Sequence, residues 1–170
     1  AEALESGRIE RIILTRPAVE SGENLGFLPG DLDQKFSVYI DAFRDILNER
    51  LGAGTVDYCL RHGRIVAAPL AFMRGKTFNS KTFVILDEAQ NTTPMQLKMF
   101  LTRMGPTSKI IITGDKTQID LPKKQKSGLV DAEEKLYKVN GIKFIELDGR
   151  DVVRHPLVRE ILKAYEQDEE

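Results

Sequence analysis

Phe83-Val84-Ile85-Leu86-Asp87-Glu88-Ala89-Gln90 is the stretch on which the fold turns. Its four leading residues are apolar and partly β-branched, the pattern of a strand buried on both faces, as in a parallel sheet. Two carboxylates follow directly, so Asp87 and Glu88 fall at the strand's carboxyl edge, where open α/β sheets bind ligands. There Asp87 can hold Mg²⁺, directly or through water, and Glu88 can orient and deprotonate an attacking water. Acid pairs after strands also serve as helix caps, and that reading stands beside the functional one at this stage.

Working outward, Ile9–Leu14 and Lys109–Thr113 are apolar runs of the same kind, with Ile65–Ala67 and Ile142–Leu147 as weaker strand candidates. Helical patterns fill the intervals at Phe36–Leu51, Val56–Arg61, Pro94–Arg103 and Gly128–Val139. A last helix is expected from His155-Pro156, with Leu157, Val158, Ile161, Leu162 and Tyr165 on one face. Pro94 suits the first turn of its helix, with Thr92 or Thr93 as the cap. Strands alternating with helices predict a parallel α/β sheet. The first residues, Ala1–Ser6, read as the end of a helix running straight into a strand, so the sequence is expected to begin partway through a domain.

A second chemical signal repeats the first. Ile110-Ile111-Ile112-Thr113-Gly114-Asp115-Lys116-Thr117-Gln118 is a buried strand ending in Gly-Asp-x-x-Gln. Gly114 and Asp115 form a candidate cofactor-binding turn, in which Gly114 lets the backbone approach a ligand. Gln118 can hydrogen-bond a terminal phosphate or the attacking water. A plain Gly-Asp turn is the other reading. The run Ile12-Ile13-Leu14 leads into Thr15-Arg16-Pro17, which brings a hydroxyl and a cation to the same edge or simply closes a strand with proline.

Bulk composition bounds these readings. The 170 residues are 41% hydrophobic and 30% charged, as in a globular domain with its own core. No apolar run approaches the roughly 20 residues of a membrane span. The one cysteine, Cys59, sits in an apolar helical pattern with Val56 and Leu60; it reads as a buried structural thiol and favours a reducing cytosol. His62 and His155 have no partners at zinc-ligand spacing. A formal net charge of -1 rules out a general basic coat but leaves room for a local cationic stripe that holds a nucleic acid.

The order Thr-Arg-Pro, Asp-Glu-Ala-Gln, Gly-Asp-x-x-Gln resembles the superfamily 1 helicase ATPase core, and more specifically the PhoH-like family, bacterial proteins named for phosphate starvation. The stretches that carry the likeness are residues 13–32, 68–79, 83–105, 109–129 and 151–161, nearly the whole chain. The resemblance implies a RecA-like P-loop NTPase fold, a three-layer α/β sandwich with a mostly parallel sheet. It further implies ATP and Mg²⁺ as cofactors, ATP hydrolysis linked to RNA, a cytoplasmic location and ring-like homo-oligomers such as a hexamer. Asp87 and Glu88 match the Walker B pair and Gln118 the γ-phosphate-sensing glutamine. Arg154 matches an arginine of the family's final signature that can reach a neighbouring subunit's nucleotide; pairing with Asp151 is its other reading.

The family's phosphate-binding loop, G-x-x-x-x-G-K-[ST], should precede the first strand and is missing from the sequence. Without that central strand a lone polypeptide of these 170 residues is expected to fold poorly and to be inactive. Gly75-Lys76-Thr77 is a decoy for the loop, since Leu70 stands where its first glycine should be. Candidates for contact with nucleic acid are Thr15, Arg16, Arg74, Lys76, Lys126 (with its neighbours Lys123 and Lys124) and Phe27, which either stacks a base or anchors its glycine-rich loop. Two rival functions use the same residues: a non-hydrolysing RNA-binding or assembly scaffold, and a metal-dependent ribonuclease built on Asp87, Glu88 and Asp115.

Overall fold

The structure, a computed structural model, describes residues 1–17, 32–79, 81–147, 151, 157, 158 and 160, with backbone alone at 32–40 and 42. The chain divides into two units, Ala1–Leu136 and Tyr137–Glu170.

In the first unit four strands form one sheet: β1 (Arg11–Arg16), β2 (Ile65–Pro69), β3 (Thr82–Leu86) and β4 (Lys109–Ile112). Their order is β2-β1-β3-β4 and every pairing is parallel. Among the described residues five helices accompany them: α1 (Glu2–Glu5), α2 (Leu32–Leu51), α3 (Ala53–Arg61), α4 (Pro94–Leu101) and α5 (Gly128–Leu136). The sheet alternates as the pleat requires. Ile12, Leu14 and Ile65 face one layer, where they pack with Cys59 of α3 and Phe43 and Leu47 of α2. Ile13, Val84 and Leu86 face the other, against Leu97 and Phe100 of α4, Met73 and Phe78. Apolar cover on both sides is why β1 reads as an unbroken apolar run. This is the three-layer α/β arrangement expected, with the sheet parallel throughout.

Strand β4 pairs with β3 and with no other strand among the described residues. Ile111 on that strand is 38% exposed, on the face where Phe83 and Ile85 are only half-buried. One flank of the sheet is therefore apolar and open.

Helix α4 starts as its sequence dictates. Thr93 is the cap: its Oγ1 accepts from Gln96 N at 3.3 Å, and Thr93 N donates back to Gln96 Oε1 at 2.8 Å, with Pro94 in the first turn. Thr92 turns inward instead and is fully buried, its hydroxyl donating to Ala89 O at 2.7 Å. Helix α5 begins hard against this cap. A Cβ on Gly128 would lie 2.5 Å from Thr92 Oγ1 and 2.6 Å from Thr93 O, so only glycine fits.

From the end of α5 onward the structure corrects two expectations. Residues 142–147 form no strand, and α5 stops at Leu136 rather than Val139. Ile145 and Leu147 are 74% and 79% exposed. Alternating apolar residues make a strand only where a neighbour takes up the backbone hydrogen bonds, and the described residues offer none here. Tyr137 and Phe144 stack with ring centroids 6.0 Å apart. Leu157, Val158 and Glu160 are helical, as expected; the other residues of the expected helix lie outside the described residues. None of the described helices is long and apolar enough to cross a membrane.

Candidate active site

Parallel pairing brings the carboxyl ends of β1, β3 and β4 side by side. The ladder continues past the strands: Asp87 N donates to Thr15 O, Thr113 N to Leu86 O and Ala89 N to Thr113 O, each at 2.9 Å. These bonds fix Asp87 and Glu88 beside Arg16 on one flank and Thr113 on the other.

Glu88 is the focus. Its backbone is left-handed, φ 54° and ψ 38°, a region that costs a residue with a Cβ about 1–2 kcal/mol. Its carboxylate is held from both sides. Arg16 Nη2 lies 3.0 Å from Oε1, and Gln90 Nε2 donates to Oε2 at 2.7 Å. Both side chains of the ion pair are about a third exposed, so the carboxylate is fixed in direction yet open to solvent. Asp87, next to it and partly exposed, accepts at Oδ1 from Thr113 Oγ1 at 2.7 Å. That single neutral donor leaves Asp87 with free acceptor positions of the hard oxygen type that Mg²⁺ prefers.

Gln90 knits this edge together and is 1% exposed. Besides Glu88, its Nε2 donates to Gln118 O at 3.1 Å, and its Oε1 accepts from Asp115 N at 3.1 Å. Gly114 is pressed against the same amide: a Cβ there would stand 2.7 Å from Gln90 Oε1 and 2.8 Å from Leu129 Cδ2. The glycine is thus demanded by packing around Gln90. Asp115 closes its own turn, accepting at Oδ1 from Thr117 Oγ1 (2.7 Å) and Thr117 N (2.8 Å) and at Oδ2 from Gln118 Nε2 (2.8 Å). The Thr117 hydroxyl, then the Thr117 amide, hold its carboxyl below the usual carboxylate range. Asn91, also buried, repeats the device one residue on. Its Oδ1 accepts from Asp120 N at 2.8 Å, so two consecutive side chains of the acidic motif pin the Gly-Asp-x-x-Gln loop.

The structure therefore gathers Arg16, Asp87, Glu88, Gly114, Asp115 and Gln118 at one edge. Thr15 adjoins them but is 3% exposed, so its hydroxyl offers no surface to a nucleic acid. Lys126 is engaged by α5, paired with Glu134 and with Asp131 (3.2 Å), which raise its pKa, Glu134 the more. Arg74 follows the short 3₁₀ turn Leu70–Met73 and is exposed, and Lys76 lies at the opposite, amino edge of the sheet. Gly75-Lys76-Thr77 leads into an isolated bridge at Phe78 and no helix, so it lacks the helix start that phosphate loops use. Phe27 and Arg154 lie outside the described residues. Gln90, Asn91 and Thr113 carry site geometry that the sequence reading did not assign. Gln90 and Asn91 stand inside or beside the acidic motif, and that adjacency was the available signal.

A parallel sheet with Asp-Glu and Gly-Asp-x-x-Gln at adjacent strand ends is the RecA-like arrangement of P-loop nucleoside triphosphatases. The family model described as PhoH-like protein matches residues 1–166, and the chain belongs to the PhoH-like family. It is 58% identical over 165 residues to a PhoH-like protein of Bacillus subtilis (strain 168), covering 97% of this chain and 51% of that protein. A PhoH-like protein of Synechocystis sp. is 54% identical over 168 residues, 99% of this chain and 51% of its own length. Protein PhoH of Escherichia coli (strain K12) is 47% identical over 167 residues, 97% of this chain and 47% of its own length. The chain thus spans about half the length of the curated relatives it matches.

Proposed function

We propose that this chain supplies the acidic half of an ATPase site whose turnover is coupled to binding or remodelling RNA. One observation carries the reading: Glu88 is held in a strained left-handed backbone, its carboxylate aimed by Arg16 and Gln90 at the sheet's carboxyl edge. Strain kept at a ligand-binding edge, beside a second carboxylate, suits a positioned base.

In this reading Glu88 would orient a water and accept its proton as the water attacks the γ-phosphorus of ATP, the bond to the bridging oxygen breaks and ADP leaves. Asp87 would hold Mg²⁺, which when bound offsets the negative charge of the phosphate oxygens. Gln118, tethered through Asp115 and Gln90, would direct its amide toward the γ-phosphate. Arg154 would complete the site from a neighbouring subunit of a ring. The phosphate-binding loop would come from a strand outside these residues lying along β4, whose apolar flank is open. The proposed location is the cytoplasm. A ribonuclease is favoured less, because Asp115 is committed to its turn and no group of three metal-ligating side chains gathers among the described residues.

The test is steady-state ATP turnover by the full-length protein and its Glu88→Gln variant, with and without RNA. Loss of a positioned base should lower kcat by about 10²–10⁴-fold while nucleotide binding survives. Equal turnover by the two proteins would sink the assigned role. Nucleotide binding without hydrolysis by the unaltered protein would favour the scaffold reading.

A further inference from the structure

The amino edge of the sheet, opposite the acidic one, is hollowed into a cleft of about 670 Å³. Its cations are Arg11, Arg64 and Lys76; Glu10 is its one carboxylate, and His62 stands at its wall. The register explains the grouping. Ile12 pairs with Ile65, so Arg11 and Arg64 stand level at the starts of neighbouring strands, about 4.8 Å apart along the sheet. Neither arginine nor Lys76 forms an ion pair among the described residues; Arg64 Nε donates only to the backbone carbonyl of Glu10, at 3.4 Å. Cations brought together without partners repel one another, and an anion in the cleft relieves that repulsion.

A second feature narrows the anion. His62 stacks on Tyr58 with ring centroids 4.0 Å apart and planes 24° from parallel, and both side chains are exposed. The stack is fixed: His62 Nδ1 is 2.8 Å from Tyr58 O, one helical turn back. Aromatic faces beside a cationic groove are what unpaired bases bind, whatever their sequence. An acidic peptide would use the cations and leave the rings idle.

We propose that this cleft holds single-stranded nucleic acid, with phosphates on Arg11, Arg64 and Lys76 and a base on the Tyr58–His62 stack. Strand β1 separates the two edges: five steps of about 3.3 Å put Arg11 about 17 Å from Arg16. The strand would thus lie behind the acidic edge, and both ligands can be held at once. The assignment rests only on the nucleic-acid part of the reading above and is tested without nucleotide. Its failure therefore leaves the Glu88→Gln result to stand or fall separately.

The measurement is fluorescence anisotropy of a labelled oligouridylate on the full-length protein across a range of salt. Arg64→Glu with Lys76→Glu should weaken binding at least tenfold and flatten the slope of log K against log salt by about 1.4, from about 0.7 per lost phosphate contact. Lys76→Glu alone, at an exposed residue, should flatten it by about 0.7 and guards against misfolding of the double variant. Tyr58→Ala should weaken binding about tenfold with the slope unchanged, the behaviour of a lost stack. Undiminished binding by the charge variants overturns the proposal. So does a Tyr58→Ala variant that binds normally while polyglutamate competes as well as unlabelled RNA, which would make the cleft a dock for acidic protein.

Discussion

At Gln90 one amide serves three segments: the acidic motif through Glu88, the second strand exit through Asp115 N, and the following loop through Gln118 O. All of this happens at 1% exposure, so the bonds cannot be traded for water. Gln90→Ala would leave Asp115 N without its acceptor, take one of two tethers from the Glu88 carboxylate and open a void where Gly114 now touches. It should cost about 2 kcal/mol, read as a drop of about 4–8 °C in Tm. A Tm within a degree of the original would show that the amide is dispensable. The carboxylates were legible in sequence because an apolar strand running into Asp-Glu has few meanings. The role of Gln90 was not, since its partner Asp115 is 25 residues away and a lone glutamine carries no pattern. The left-handed backbone of Glu88 left no trace either, because sequence marks such positions only when they hold glycine or asparagine.

Among the elements, α5 is tied to the preceding loop mainly by charge. Asp131 accepts from Lys135 Nζ at 2.7 Å and pairs with Lys126 at 3.2 Å; Lys135 first, then Lys126, hold its carboxyl below the ordinary value of 3.8. A depressed carboxylate adds stability that is present above the unfolded value and is lost as pH falls through the folded one. Lys126, raised above 10.5, adds stability that is present below that pH and is lost as pH climbs through its folded value. Thermal melts should therefore show a shallow acid decline below about pH 4 that Asp131→Asn reduces, the remainder belonging to Asp115, whose carboxyl is also held low. All these groups reach solvent, so 1 M salt should shrink the effect, and a decline undiminished in Asp131→Asn would place it wholly at other carboxylates. The four described strands and the helices α2 to α5 were readable from periodicity and from Thr93-Pro94, with ends off by a few residues. Residues 142–147 were misread because alternation reports a face to be covered but says nothing of a partner strand.

For the first unit as a whole, the strand order leaves β4 at an open flank with Ile111 part-exposed. Unpaired, apolar strand edges template association. The 170-residue chain alone should scatter light increasingly with concentration, and Ile111→Lys should suppress it; association unchanged by the lysine would place the contact elsewhere. The cleft at the other edge was not legible in the sequence. Arg11, Arg64 and Lys76 are far apart in sequence and meet only through the register of β1 and β2.

The same strand order sets a timetable for a nascent chain. Both strand partners of β1 among the described residues are made after it: Ile65 follows Ile12 by 53 residues, 65 minus 12, and Phe83 comes later still. At about 5–20 residues per second on the ribosome, β1 waits about 3–10 s for its first described strand partner. The face of Ile12 and Leu14 can already meet Leu4, Phe43, Leu47 and Cys59 in that interval, whereas the companions of Ile13 are all made later. Synthesis of this fold therefore leans on whatever shelters Ile13 in that interval, and slowed translation between β1 and β2 lengthens the exposure.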